Sequence, residues 1–171
     1  PYATTWGELY QTESNPAKMY DFDYVNKPGR VKEHQGMRDA ISSIMPAFSD
    51  DLDSTWLSKD DFSELLYQTS RHESYNKFGE PRTTQRNEGP AKSWWQIEPE
   101  TARDIVTAYD RDKDDNLTNP RASKQYWGPK MEEITGFSAD SLYSMSDDDL
   151  GALMESNPAI GAGFAAAKYL K

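Results

Sequence analysis

Apolar residues recur along this chain at three- and four-residue steps and almost nowhere at alternate positions, a spacing that suits helices and leaves little room for half-buried strands. Met37, Ile41, Ile44 and Met45 trace one helical face within residues 34–45, and Pro46 is expected to end it. Ser58-Lys59-Asp60-Asp61 has the form of a capping box, and Phe62, Leu65, Leu66 and Thr69 continue the pattern, predicting a helix from about Lys59 to about Ser74. Gly79, Pro81, Gly89 and Pro90 then interrupt a polar stretch, so residues 76–93 read as a long irregular segment. Loops of that length are usually functional or disordered.

Pro99-Glu100-Thr101 opens another helix, running through Ala102 and Ile105 toward Asp110. An acidic loop and a Gly128-Pro129 break follow, with Tyr126 and Trp127 read as packing residues at a turn. Ser138 and Ser146 each stand as N-caps of short helices, and Asn157-Pro158 begins a last helix carrying Ile160, Phe164, Ala167 and Leu170. Residues 1–30, rich in Tyr, Asp and Pro and closed by Lys27-Pro28-Gly29, read as an irregular N-terminal arm. The expected architecture is mainly α, with the folded domain over residues 31–171.

Length and composition narrow the chemistry. A chain of 171 residues suits one domain with a real core. A formal charge of −10 with no basic stripe argues against nucleic acid. No apolar run approaches membrane-spanning length, so no membrane insertion is expected, and the first residues lack the blocks of a signal peptide. Cysteine is absent, which removes disulfides, thiolate ligands and thiol nucleophiles. Neither His34 nor His72 sits in an H-E-x-x-H pattern, and no metal is assigned. Residues 110–117 alternate oxygen-bearing side chains as a calcium loop would. With Arg121 where a bidentate Glu belongs, they read as a solvated acidic loop.

One carboxylate interrupts the helical pattern. At roughly 100° per residue, Glu73 projects about 20° from Phe62 and from Leu66, inside the apolar stripe of its helix. Burial there would favour the protonated carboxyl, the state a general acid needs. The alternative is a frayed helix end or an ion pair with Arg71.

Arg71-His72-Glu73-Ser74, a polar loop, and then Gly89 through Ala102 resemble the signature of lytic transglycosylases. In that family Glu-Ser is followed by Gly-Ala-x-Gly-Leu-Met-Gln, an apolar residue, Pro and a helix beginning Thr-Ala. Here Glu73-Ser74, Ala91, Gln96, Pro99 and Thr101-Ala102 match, and Gly-Pro-Ala with Trp-Gln-Ile-Glu-Pro looks closest to transglycosylase-like proteins of bacteriophages. Lys168-Tyr169-Leu170 resembles the family's helix ending in Tyr-Leu. Pro90 and Ser93 stand where the family usually has Gly, and Trp95 where it has Met. The family's Ala-x-x-Tyr-Asn-x-Gly segment follows that helix. Since the chain ends at Lys171, the expectation is a piece of a longer polypeptide or a cleft completed differently.

The resemblance implies a lysozyme-like fold and a peptidoglycan lytic transglycosylase with one catalytic residue, Glu73, and no cofactor. Glu73 would protonate the oxygen linking N-acetylmuramic acid to N-acetylglucosamine and then accept the C6 hydroxyl proton, giving a 1,6-anhydro sugar. Ser74 would assist, and Gln96, Ala91, Trp94 and Trp95 would contact the glycan. From the residues alone, Trp94 and Trp95 are equally well read as core. Hydrolysis would call on Glu98, Glu88 or Glu80 as a second carboxylate, although Glu98 is also a natural helix-start residue, and His72 is read as a hydrogen-bonding residue rather than a base. The implied partners are peptidoglycan glycan strands and other phage virion proteins, with the domain carried in the virion and acting in the host periplasm or cell wall. A noncatalytic virion or ejection protein that keeps the fold is the competing expectation, followed by an endolysin.

Overall fold

The computed structural model describes residues 34–75, 80–85, 88–107 and 124–171. The expected N-terminal arm and the acidic loop over 110–117 lie outside them. Eight α-helices are found among the described residues: α1 (Gln35–Ile44), α2 (Ser49–Asp53), α3 (Lys59–Ser74), α4 (Pro99–Thr107), α5 (Lys124–Thr135), α6 (Ala139–Ser144), α7 (Asp147–Ser156) and α8 (Pro158–Leu170). No strand is present among those residues, so the architecture is mainly α, as the spacing predicts. No described helix is long and apolar enough to cross a membrane.

Side-chain caps set the helix starts. Ser58 accepts the Asp61 N–H at 3.0 Å and donates to the Asp61 carboxylate at 2.7 Å, satisfying a donor that the first turn leaves without an intrahelical partner. Ser138, Ser146 and Asn157 do the same for α6, α7 and α8, by accepting from Ser141, Asp149 and Ala159. At α1 the cap is His34, whose Nδ1 accepts the Met37 N–H at 3.2 Å. Its own N–H donates to the Tyr67 hydroxyl on α3.

The hub of the packing is α8. Every residue from Ile160 to Ala167 is buried, as befits a helix enclosed on all sides. It contacts α1, α3, α4, α5 and α7. Its glycines and alanines allow close approach, and Phe164 supplies bulk to a core shared with Met37, Phe48, Phe62, Leu66, Trp127 and Met131.

The first α-helix ends at Ile44, just before Pro46 as expected, and a 3₁₀ turn, Met45–Phe48, leads on into α2. One stretch departs from expectation: Gly128-Pro129 does not break the chain, because α5 runs through it. The missing proline N–H removes one intrahelical bond, yet Trp127 and Met131 on either side are fully buried, and their burial outweighs that local loss.

A charged cluster fastens α5 to α2. Asp51 is 0 % exposed, and its carboxylate meets Lys130 Nζ at 2.9 Å and accepts a short hydrogen bond from the Tyr126 hydroxyl. Lys130 also donates to the Ala47 carbonyl at 2.9 Å. Tyr126 is therefore a packing residue as expected, but on a helix and with a specific polar role. On the opposite side, Arg38 of α1 pairs with Glu64 of α3 at 2.7 Å and lies 3.6 Å from the Tyr67 ring centre. Partial burial pushes the Glu64 carboxyl up, but hydrogen bonds from Gln68 and Arg38 and the charges of Arg38 and Arg71 outweigh it and hold the group below its ordinary value.

Removing one member of the buried cluster strands the other. Asp51→Ala is expected to lower stability by about 3 kcal/mol or more, read as a lower urea midpoint at unchanged slope. A lowered carboxyl pKa stabilises the folded state above the ordinary carboxylate value and ceases to do so as pH falls through the folded one. The stability gap between wild type and Glu64→Gln should thus be present at neutral pH and close as pH falls below about 4, a trend that thermal melts across pH would reveal.

Candidate functional site

The C-terminal turn of α3 does not carry the expected buried carboxylate. Glu73 is exposed, and the buried positions of α3 are Phe62, Leu66, Tyr67, Ser70 and Ser74. The reason is helical drift. Each four-residue step advances around the axis by about 40°, so the row from Phe62 through Leu66 and Ser70 to Ser74 turns by about 120° over three steps. Alignment with Phe62, three turns away, puts Glu73 beside the core rather than in it.

Its neighbour is the buried group. Ser74 is 3 % exposed, and its hydroxyl has no hydrogen-bond partner among the described residues. A buried hydroxyl without a partner costs roughly 1–3 kcal/mol.

The segment after α3, expected to be irregular, is organised by isolated β-bridges that pair Tyr75 with Pro81, Thr84 with Lys92, and Lys92 with Ile97. Lys92 and Ile97 exchange both backbone hydrogen bonds, at 2.9 and 2.8 Å, and close a four-residue turn. Within it Ser93 and Gln96 adopt φ of 68° and 50°, a left-handed conformation that costs a side-chain-bearing residue about 1–2 kcal/mol. Part of the compensation is visible. The Ser93 hydroxyl accepts the Trp95 N–H at 3.2 Å, and the Gln96 side-chain amide donates to the Ser93 carbonyl at 2.7 Å.

Two glycines seat this turn on the helices. A Cβ on Gly161 of α8 would stand 2.5 Å from both Cβ and Oγ of Ser93, and one on Gly151 of α7 would stand 3.1 Å from the Lys92 stem. The backbone bonds then join the two halves of the candidate site. Arg82 donates its N–H to the Ser74 carbonyl at 3.0 Å. Its own carbonyl receives Gln96 Nε2 at 3.4 Å. Ser74 and Gln96 are thus linked through the backbone of one residue, Arg82. Sequence reasoning missed Arg82, and no signal could have found it, because its links are made by the main chain.

Other expected contacts move into the core. Trp95 is 3 % exposed and donates its indole N–H to the Leu66 carbonyl at 2.9 Å, so it supports the site from beneath and cannot stack on a ligand. Ala91 is buried as well, its carbonyl accepting the Gln85 N–H at 3.1 Å. Trp94 is half-buried against the start of α1, edge-on to His34 with ring centres 4.6 Å apart. The structure thus places Ala91 and Trp95 in the core and leaves Trp94 half-buried. His72, Glu80, Glu88 and Glu98 are all exposed. Glu98 immediately precedes α4, and its carbonyl accepts the Ala102 N–H, in keeping with a helix-start role.

A surface depression between α1, α5 and α8, bordered by Ile44, Ala47 and Ile134, includes none of these residues. Among the described residues no group of three His, Asp or Glu side chains is placed to hold a metal ion.

The fit between Ser93 and Gly161 can be tested by a double-mutant cycle. Gly161→Ala should cost about 1–3 kcal/mol from overpacking. Ser93→Gly, which removes the obstructing atoms and the left-handed strain, should restore most of that in the double variant, with a coupling of about 1 kcal/mol or more in urea unfolding. No protein-family model, curated protein or solved structure matches this chain, so the site stands on its own geometry and on the motif resemblance.

Proposed function

We propose that the chain is a lysozyme-like domain of the lytic transglycosylase type that cleaves the bond between N-acetylmuramic acid and N-acetylglucosamine in peptidoglycan, with Glu73 as its acid and base. The observation that carries this reading is the linking of Ser74, next to Glu73, to Gln96 through the Arg82 backbone, which brings the two motif halves that resemble the family side by side.

The chemistry needs a single carboxyl group. Protonated Glu73 gives its proton to the glycosidic oxygen as the bond to the muramic C1 breaks, and the substrate's acetamido group stabilises the positive carbon. The resulting carboxylate removes the proton from the C6 hydroxyl, whose oxygen bonds to C1 and closes the 1,6-anhydro ring. Glu73 is exposed in the free chain, and a glycan strand that covers the carboxyl and excludes water would favour its protonated form. Gln96 has committed its amide N–H groups to two carbonyls, which leaves its Oε1 to accept from a sugar hydroxyl or amide. The wider setting we propose is a phage virion domain that opens the host wall locally, with glycan strands and neighbouring virion proteins as partners.

The same exposure of Glu73 favours a second reading, a noncatalytic virion module that keeps the fold for structure or wall binding. Purified peptidoglycan incubated with each protein and analysed by mass separates the two. Wild type should release anhydro-muropeptides, and Glu73→Gln should lower that rate by roughly 10²–10⁴. Absence of product from wild type would favour the noncatalytic module, and equal release by both proteins would remove Glu73 from the mechanism. Ser74→Ala should slow turnover while leaving stability unchanged or raising it by up to about 1 kcal/mol, since it removes a buried hydroxyl that has no partner among the described residues.

A further inference from the structure

We propose that Tyr169 is a saccharide-stacking residue that forms the α8 wall of the Glu73 site. The inference rests on the saccharide-cleaving reading above and adds to it a residue and a wall. Tyr169 lies in the last turn of α8, and its hydroxyl reaches the Thr69 hydroxyl of α3 at 2.9 Å. The direction of that bond follows from proton counting. Thr69 already donates its only hydroxyl proton to the Leu65 carbonyl at 2.8 Å, so Tyr169 is the donor and Thr69 the acceptor.

Thr69 and Glu73 are four residues apart on α3, which puts their Cβ atoms roughly 6 Å from each other on one strip of the helix. A tyrosine pinned to Thr69 therefore stands about one side chain's length from the Glu73 carboxylate. Tyr169 is 49 % exposed, which leaves much of the side chain open to solvent. The anchored hydroxyl fixes the ring orientation in advance, and a ligand that lies on it need not order a free side chain.

A flat apolar surface beside an exposed carboxylate suits a sugar ring. The C–H face of a pyranose packs on the aromatic ring, and the hydroxyls at its edge donate to the carboxylate. Trp56 is more exposed, at 91 %, but it precedes the N-terminus of α3. That helix has 16 residues and a length of about 24 Å, which places Trp56 at the end away from Glu73. Trp94 and Trp95 are committed to packing. Of these exposed and motif aromatics, Tyr169 is the one tied to the strip of α3 that carries the acid.

Binding separates stacking from a merely structural tie. The full chain carrying Glu73→Gln, which prevents turnover, would be titrated calorimetrically with a soluble GlcNAc–MurNAc tetrasaccharide, and a thermal melt recorded for each variant. Adding Tyr169→Ala should weaken the dissociation constant roughly tenfold, whereas Tyr169→Phe, which keeps the ring, should stay within about threefold of the parent. Binding unchanged by Tyr169→Ala while wild type still cleaves peptidoglycan would overturn the stacking role alone. So would an equal loss with Phe and Ala, or variants that change only the melting temperature. If the parent does not bind the tetrasaccharide and wild type releases no anhydro product, the saccharide reading fails and this role fails with it.

Discussion

The site depends on how closely one turn of backbone approaches the central helix. Ser93 occupies the space that a Cβ on Gly161 would need, and the Lys92 stem lies over Gly151 at a looser but still tight approach. With the turn seated there, the Trp95 indole reaches the Leu66 carbonyl inside α3 and the Gln96 amide reaches the Arg82 carbonyl. Arg82 in turn holds the end of α3 through Ser74. Packing of small residues in α8 and left-handed strain at Ser93 and Gln96 are thus two sides of one arrangement, in which local backbone cost is offset by burial around it.

The carboxylate sits at the rim of this arrangement rather than in its floor. Apolar support comes from Trp95 and Ala91 below, while Glu73 remains open to water. On the proposed saccharide-cleaving reading, desolvation of that carboxyl would come from the ligand that covers it. That division also raises the importance of whatever stands beside Glu73. On α3 that is the Thr69 strip, to which the last turn of α8 is fastened by Tyr169.

Helix starts were legible because capping is a local matter. Ser58, Ser138, Ser146 and Asn157 each bond a backbone N–H two or three residues on, and sequence reveals such contacts directly. Continuation through Pro129 was not legible, since it depends on the burial of Trp127 and Met131 by other helices. The same holds for the stretch after α3. Its isolated bridges and the left-handed φ at Ser93 and Gln96 carry no composition signal when the residues are not glycine. Glu73 was misplaced by a subtler cause. Angular alignment with Phe62 ignores the drift of a buried row over three turns, and it was Ser74 that the core retained.

We propose that Glu73, Arg82 and Gln96 border a single saccharide-binding surface, with Ser74 buried beneath it. The most direct test is the map of backbone amide shifts when isotope-labelled protein is titrated with a soluble peptidoglycan disaccharide. The account predicts saturable shifts centred on the end of α3, on Arg82 and on the Ser93–Gln96 turn, extending to the last turn of α8. Shifts confined to the depression bordered by Ile44, Ala47 and Ile134, or none at millimolar ligand, would contradict it.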